Sequence, residues 1–392
     1  MTDLQQDTDA RLHHALHSLA ETAIAAGTET GVQLTVFRDG RLVADVAAGT
    51  AEPRGARPVT PDTLVYSAST GKAVASTVAH VLVERGLFEL DTPLVEFWPE
   101  FGAHGKQGIT LRHVLTHSAG LPALPLDITV EQLTDWEWMS AMLAGAEPRW
   151  APGERVGYHA GTFGHLVGEF VRRATGRPIS QVLADEVAGP LGIADELYFG
   201  VPDRELPRVA TLENDPQGHA IFTSLPDQFP LFQAAPRQVV PDAVFGNRAD
   251  VLTSDLPYQG TMTARALARM YAALVGEVDG VRLVSPDRLA ALAAPALPGA
   301  IDEVTGAPAI WSVGYAAAWP PASGSDASGD AGVLRDVAPG HPTSFGMGGI
   351  GGSGGWADPV TRVAVAVTKT RFNPVDASLM QQVTDLVRGW ES

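Results

Sequence analysis

The chain has 392 residues, of which 45% are hydrophobic, so it can bury a large core as one elaborate domain or as two interleaved ones. Its 27 basic and 45 acidic side chains give a formal charge of -18, which repels nucleic acid and anionic membrane surfaces. The lack of cysteine excludes disulfides, thiolate metal sites and a cysteine nucleophile. No secretory leader pattern and no run of membrane-spanning length are visible, so we expect a cytoplasmic protein without nucleic-acid or membrane partners.

The first 50 residues predict a helix followed by a β-hairpin. Apolar residues recur at helical spacing over 12–23. Residues 32–37 and 42–46 then alternate on either side of the turn Asp39-Gly40, which is typical of a hairpin. The chain therefore begins with a helix beside antiparallel strands.

The next element is an unusually apolar helix over residues 73–86, and Ser69 and Lys72 lie at its start. A spacing of three places a hydroxyl and an amine on one helical face. Burial lowers the pKa of an amine, so the lysine could accept the proton of a serine hydroxyl that is otherwise inert at neutral pH. The alternative is an ordinary helix start, with a serine cap and a lysine that reaches solvent.

The middle of the chain differs from its start. Residues 87–200 predict helices joined by turns that contain proline and glycine. Residues 216–260 combine repeated prolines with five aromatic residues, which is typical either of a wall around a binding site or of a surface excursion. Residues 323–330 have the composition of a flexible linker.

The end of the chain mirrors its beginning. Residues 353–368 predict a second hairpin, and apolar spacing over 379–390 predicts a closing helix. We therefore predict an α/β (α+β) fold in which an antiparallel sheet is flanked by the N- and C-terminal helices. Residues 1–86 and 245–392 would form this sheet domain, and residues 87–244 an inserted, mostly helical domain that carries the long loop rich in aromatic residues and proline.

Four separated motifs occur in one order along the chain. They are Ser69–Lys72 (STGK), Ile109–Pro122 (ITLRHVLTHSAGLP), Ala151–Tyr158 (APGERVGY) and Phe345–Ser353 (FGMGGIGGS). In these motifs the chain resembles the superfamily of serine β-lactamases and penicillin-binding proteins, and most closely the class C β-lactamases and the related family VIII carboxylesterases. The resemblance implies a β-lactamase-like fold over nearly the whole chain.

The resemblance also implies catalytic roles. Ser69 would be the acylated nucleophile, Lys72 its proton partner, and Tyr158 the general base that later protonates the leaving group. A tyrosine with its free pKa of about 10 is a poor base at pH 7. A cationic Lys72 nearby would favour the phenolate, so that the pair would titrate as a unit. The alternative for Tyr158 is a buried core tyrosine. The backbone N–H groups of Ser69 and Ile350 would form the oxyanion hole.

Two departures from the family pattern concern substrate binding. Ala160 stands where the lactamases carry an asparagine that contacts the amide side chain of a β-lactam. Met347, Gly348 and Gly349 occupy the position of the Lys-Thr-Gly or His-x-Gly motif, so the cation that anchors the substrate carboxylate is missing. We therefore expect little β-lactamase activity and assign these four residues to substrate binding.

Other patterns compete with this interpretation. Ser353 satisfies Gly-x-Ser-x-Gly, the nucleophile-elbow motif, but is predicted to precede a strand, so we interpret it as a coincidental match and not as a nucleophile. Lys369–Arg371 imitates Lys-Thr-Gly without the glycine, and we expect it at the surface. His113 and His117 are spaced like a metal pair, although a structural hydrogen bond is favoured for His117. Pocket-lining and packing roles remain equally open for His159, His165, Trp136, Trp138 and Trp150.

The leading hypothesis is a serine carboxylesterase that hydrolyses small to medium acyl esters through acyl-Ser69, with a small-molecule ester as its partner and no cofactor or metal. The first alternative is an acyltransferase that passes the acyl group to an alcohol or amine. The second is a non-catalytic binding or scaffolding protein, which the joint presence of Ser69, Lys72 and Tyr158 disfavours.

Overall fold

The computed structural model describes residues 3–318 and 343–391, so the linker predicted at 323–330 lies outside the described residues. The α-helices are α1 Asp3–Ala26, α2 Gly71–Glu84, α3 Leu111–Leu115, α4 Val130–Thr134, α5 Trp136–Gly145, α6 Phe163–Thr175, α7 Ile179–Leu183, α8 Pro216–Thr223, α9 Leu231–Ala234, α10 Ala243–Gly246, α11 Ala249–Thr253, α12 Ala264–Val275, α13 Pro286–Ala293 and α14 Ser378–Glu391. The strands are β1 Gly31–Arg38, β2 Arg41–Gly49, β3 Val65–Tyr66, β4 Leu197–Tyr198, β5 Glu213–Asn214, β6 Thr261–Met262, β7 Ala316–Ala317, β8 Phe345–Gly348, β9 Gly354–Asp358, β10 Val363–Lys369 and β11 Arg371–Phe372. Within these ranges no helix is both long and apolar enough to cross a membrane.

A six-stranded sheet joins the two ends of the chain. Its strand order is β2-β1-β10-β9-β8-β7, and each neighbouring pair is antiparallel. The first hairpin pairs with the last through β1 and β10, with Val32 opposite Lys369. The predicted fold class, an antiparallel sheet built from both termini, is confirmed. The domain boundaries at 86/87 and 244/245 stay a prediction.

The sequence of β10 explains how helices cover both faces of this sheet. Successive residues of a strand point to opposite faces. The valines at 363, 365 and 367 belong to a buried cluster with residues of α1 and α14, whereas Ala364 and Ala366 belong to the core that contains α12. A Cβ atom on Gly355 of β9 would lie 2.8 Å from the ring of Tyr271 in α12. Small residues on this face therefore allow α12 to approach closely.

Helix α2 is the central helix of the core. Every residue from Gly71 to Val83 is buried, as the apolar pattern predicts. Its start is packed so tightly that a Cβ atom on Gly71 would lie 2.0 Å from the carbonyl oxygen of Gln259. Ser76 Oγ also donates to the carbonyl of Gly314 at 2.9 Å. The residues that precede α2 are therefore attached to a helix that has little freedom to move.

The segment 216–260 contains more regular structure than its sequence predicts. It forms the short helices α8 to α11 rather than an irregular connection. Pro216 occupies the first turn of α8, where its fixed φ suits a helix start, and Asp215 caps the Gly218 N–H at 2.7 Å. Helices of four to eight residues are too short for apolar periodicity to reveal them.

Lys369 is not at the surface, and the prediction that placed it there is wrong. Lys369 is 3% exposed and forms an ion pair with Glu29, which is 4% exposed. Glu29 precedes β1 and Lys369 ends β10, so pairing of the two terminal hairpins brings the charges together. Burial raises the pKa of Glu29, while the attraction of Lys369 opposes that rise.

We expect Lys369→Met to destabilise the protein by about 3–5 kcal/mol, because it leaves the Glu29 carboxylate buried without its partner. Urea unfolding of Lys369→Met, Glu29→Leu and the double variant would measure the effect. The double variant should lose less stability than the sum of the single variants. Additive losses would mean that the two charges do not interact.

Candidate active site

The predicted nucleophile lies in a sharp turn between β3 and α2. Residues Ala68–Thr70 form one turn of 3₁₀ helix, and Ala68 adopts a left-handed φ of 44°. Ser69 is partly exposed, whereas Ser67 and Thr70 on either side are buried. The turn therefore presents the Ser69 side chain to solvent from a rigid base.

Lys72 lies one turn later and is fully buried. Its Nζ is 3.1 Å from Ser69 Oγ, 3.5 Å from the carbonyl oxygen of Tyr258 and 4.9 Å from the ring centroid of Tyr158. Burial lowers the pKa of Lys72 well below its usual value. Within the described part of the chain no carboxylate pairs with this amine. The environment therefore favours a neutral amine, which can accept a proton from the serine hydroxyl.

Tyr158 reaches the same place from the segment before α6. Burial raises the pKa of the Tyr158 phenol, and interaction with the Ser69 side chain opposes that rise. The sequence predicts that a cationic Lys72 favours the phenolate of Tyr158. The structure favours a different distribution of charge, because burial makes both the phenolate of Tyr158 and the ammonium of Lys72 unfavourable. The structure thus brings Ser69, Lys72 and Tyr158 together, with both predicted proton carriers tending to be neutral.

The end of β8 lies against the turn that carries Ser69. A Cβ atom on Gly349 would lie 2.2 Å from the carbonyl oxygen of Ser67, so only glycine permits this approach. The Gly349 N–H donates to the carbonyl of Ser353 at 2.8 Å, and Thr70 Oγ1 donates to the same oxygen at 3.3 Å. Ile350 follows directly and is partly exposed. This arrangement puts the Ile350 backbone near the start of the nucleophile turn, where helical N–H groups lack partners within the helix.

The predicted substrate-binding residues have different environments. Met347 is 3% exposed and its side chain lies in the core, so any contact it makes with a substrate is through its backbone. Gly348 and Gly349 are partly exposed. Ala160 is buried in an apolar cluster whose neighbours include Tyr158 and Ile350. The binding roles of these residues stay predictions.

The segment 216–260 lies beside the site. The cluster that contains Ala160 also contains Phe222, Phe232 and, at its edge, Val240. The position of the segment favours a wall of the site over a surface excursion.

The competing residues have structural contacts. Ser353 is 4% exposed, its Oγ accepts the Lys369 N–H at 3.2 Å, and the strand β9 follows it, so the strand-turn-helix context of a nucleophile elbow is absent there. His113 Nδ1 accepts the Thr110 N–H in a capping box. His117 Nδ1 accepts the His159 N–H at 3.1 Å. In residues 3–318 and 343–391 no group of three or more His, Asp or Glu side chains could hold a metal ion.

His159, His165 and Trp136 make packing contacts inside the protein. His159 and His165 are both buried, and burial lowers the pKa of each to about 4. The His159 ring accepts the Leu121 N–H at 3.1 Å and lies 2.6 Å from the Gly157 carbonyl, so it fixes the segment around Tyr158. Trp136 donates its indole N–H to Glu169 at 2.7 Å and packs against His165. These contacts are structural.

Two residues that no motif indicated also touch Tyr158. Asp302 accepts the Tyr158 N–H at 3.1 Å, and the indole of Trp311 stacks on the Tyr158 ring at 4.9 Å with an interplanar angle of 8°. Both follow Tyr158 by more than a hundred residues, in a stretch without strong periodicity. The proximity of Asp302 and Trp311 to Tyr158 is therefore apparent only from the structure of the loop that follows α13.

The chain matches the family Beta-lactamase over residues 17–387. The chain belongs to the β-lactamase family. It is a serine hydrolase of this family, and the resemblance predicted from the four motifs is confirmed. The esterase/β-lactamase LipL of Mycobacterium tuberculosis is 34% identical over 352 residues, which are 87% of this chain and 77% of LipL.

Two further relatives are informative. The crystal structure of a family VIII carboxylesterase superposes with a TM-score of 0.79 at 28% identity, and the match covers 96% of this chain and 97% of that one. Monacolin J acid methylbutanoyltransferase of Aspergillus terreus is 31% identical over 166 residues, which are 36% of this chain and 39% of the transferase.

Proposed function

We propose that this protein is a carboxylesterase that hydrolyses esters of small to medium acyl size through an acyl intermediate on Ser69. The observation that carries the proposal is the 3.1 Å separation of Lys72 Nζ and Ser69 Oγ, with the Tyr158 ring centroid 4.9 Å from the same Nζ. A serine hydroxyl becomes nucleophilic when an adjacent group takes its proton, and the desolvated amine is suited to that task.

The reaction has two steps. In the first, the Ser69 proton moves to the Lys72/Tyr158 pair while Oγ attacks the ester carbonyl, and the Ser69 and Ile350 backbone N–H groups stabilise the oxyanion. The tetrahedral intermediate collapses, the carbonyl to alkoxy bond breaks, and the pair returns the proton to the leaving alcohol. In the second, water attacks acyl-Ser69 and the same pair relays its proton to the serine.

The substrate-binding residues favour esters over β-lactams. Met347 stands where the lactamases place a cation, and its buried thioether cannot pair with a carboxylate. Ala160 offers no amide to the acyl side chain of a lactam. The apolar surface of Phe222 and Val240 beside Ile350 suits a hydrocarbon acyl group instead. The names of LipL and of esterase EstB of Burkholderia gladioli both include esterase, although that of LipL includes β-lactamase as well, so the preference for esters over β-lactams rests on Met347 and Ala160.

The test compares p-nitrophenyl acetate, butyrate and octanoate with the β-lactam nitrocefin. We expect kcat/KM for the butyrate ester to exceed that for nitrocefin by about 100-fold or more, because the lactam carboxylate lacks a charge-assisted hydrogen bond. Comparable values for the two substrate classes would contradict the proposed specificity.

Acyl transfer is the second candidate function, and the similarity to a methylbutanoyltransferase supports it. The acyl-Ser69 intermediate is common to both reactions, and only the acceptor differs. Adding alcohols or amines during turnover of p-nitrophenyl butyrate distinguishes them. A hydrolase releases butyrate throughout, whereas a transferase gives mainly the new ester or amide at millimolar acceptor.

A further inference from the structure

Asp302 connects Tyr158 to the loop that follows α13. It is 1% exposed, and its Oδ1 accepts the Tyr158 N–H at 3.1 Å. The same oxygen accepts the N–H groups of Val304 and Thr305 at 2.9 and 3.0 Å. Its second oxygen accepts the indole N–H of Trp311 at 2.7 Å. One buried carboxylate thereby fixes both the backbone of Tyr158 and the orientation of Trp311.

Trp311 in turn restrains the phenol ring. The two rings are almost parallel, 4.9 Å apart at 8°. His117 packs edge-on against both, with centroids 5.0 Å from Tyr158 and 4.6 Å from Trp311. A ring held in this way has little freedom to rotate about the bonds that aim its hydroxyl at Ser69.

We propose that Asp302 and Trp311 are positioning residues that orient the Tyr158 phenol toward Ser69 and Lys72. The inference rests on the proposed esterase function. Neither residue is assigned to bind substrate or to transfer a proton. Their effect is to keep the proton carrier within reach of the serine hydroxyl, where a displacement of about 1 Å can cost about 100-fold in rate.

The carboxylate also acts through its charge. Asp302 raises the pKa of Tyr158, in addition to the larger effect of burial. The other polar groups that face the phenol are Ser69, Lys72 and His117, and burial keeps His117 neutral by lowering its pKa well below the usual value. Removing the charge of Asp302 lowers the pKa of Tyr158, so the coupled Lys72/Tyr158 pair titrates at lower pH.

The variant Asp302→Asn removes the charge of the carboxylate and its hydrogen bond to Trp311 but keeps a side chain of the same shape. The asparagine carbonyl can still accept the backbone N–H groups, but its amide cannot accept the indole N–H of Trp311. We expect kcat for p-nitrophenyl butyrate to fall about 10- to 100-fold with KM changed less than about threefold. The ascending limb of the kcat against pH profile should move to lower pH, which a purely structural role would not cause.

Trp311→Phe is the second variant. It keeps a stacking ring but loses the N–H, so kcat should fall by less than in Asp302→Asn, without a shift of the pH profile. Trp136→Phe is the matched control, since Trp136 also donates its indole N–H to a carboxylate at 2.7 Å, that of Glu169, and makes no contact with Tyr158. Its kcat should remain within about twofold of wild type.

Wild-type kcat and an unshifted pH profile in folded Asp302→Asn would overturn the inference. If Asp302→Asn does not fold, Trp311→Phe decides, and an unchanged kcat in that variant counts against the positioning role. Labelling of Ser69 by a p-nitrophenyl phosphonate separates failure of the positioning role from failure of the proposed esterase function. Slower labelling of the variants, with full labelling of the wild type, would support the positioning role. No labelling of wild-type Ser69 would refute the esterase mechanism itself.

Discussion

Replacing Ser69 with alanine should lower kcat for p-nitrophenyl butyrate by about 10⁴-fold or more, because no acyl intermediate can form without its Oγ. The fold should be unaffected, since the residue is partly exposed and only its side-chain oxygen is removed. Steady-state kinetics and a thermal melt of the same sample measure both quantities.

Intact-mass measurement makes this prediction specific to one serine. After brief incubation with a p-nitrophenyl phosphonate, the wild-type protein should gain one adduct and Ser69→Ala none. Ser353→Ala is the matched variant, since Ser353 is the competing motif serine, and it should retain the adduct. An adduct on Ser69→Ala that peptide mapping assigns to another residue would relocate the nucleophile.

The sequence was sufficient to predict the outline of the fold because the signals at the two termini are local. The alternation of valine and alanine in β10 is a property of adjacent residues, and it specifies a strand with two different faces. The apolar pattern of α2 likewise predicts its burial. The short helices of the segment 216–260 escaped prediction because they hold fewer than three turns each.

Part of the site was predictable for a different reason. Ser69 and Lys72 are three residues apart, so helical geometry alone brings them together. The prediction that Tyr158 approaches Ser69 depended on the resemblance to a family, because no local rule relates this tyrosine to a serine 89 positions earlier.

What the sequence did not reveal is how burial acts on charged groups that are distant along the chain. Lys369 resembles a surface residue in its local sequence, but the pairing of β1 with β10 buries it against Glu29. The same limit applies to the charge state of the site. A lysine near a tyrosine suggests a cation and a phenolate, yet burial penalises the charged form of each.

Replacing Lys72 with methionine should lower kcat about 10²- to 10⁴-fold, which is the usual contribution of a positioned proton carrier. Lys72→Arg should be equally impaired, because a guanidinium stays protonated and cannot accept the serine proton. If charge alone were required, arginine would restore activity and methionine would not. Steady-state kinetics of both variants therefore distinguish a neutral base from a fixed cation.

The pH profile gives the second measurement. Burial lowers the pKa of Lys72 well below its usual value, so the neutral amine becomes populated at a lower pH than for a free lysine. The wild-type kcat should therefore rise with pH along a limb that lies well below the pKa of free lysine, about 10.4. This limb should be absent in Lys72→Met, where the residual rate no longer depends on that group.

Lys106→Met is the control, because Lys106 is also fully buried and lies outside the site. Its ammonium donates to the carbonyls of Ala144 at 2.9 Å and Ala146 at 2.5 Å, at the C-terminal end of α5, where a cation is favourable. This variant should lose stability but keep wild-type kcat and the ascending limb of the profile. Because both substitutions remove a buried amine, only a loss of rate confined to Lys72→Met identifies proton transfer as the cause. Equal losses of kcat in the two variants would instead trace the effect to a weakened core.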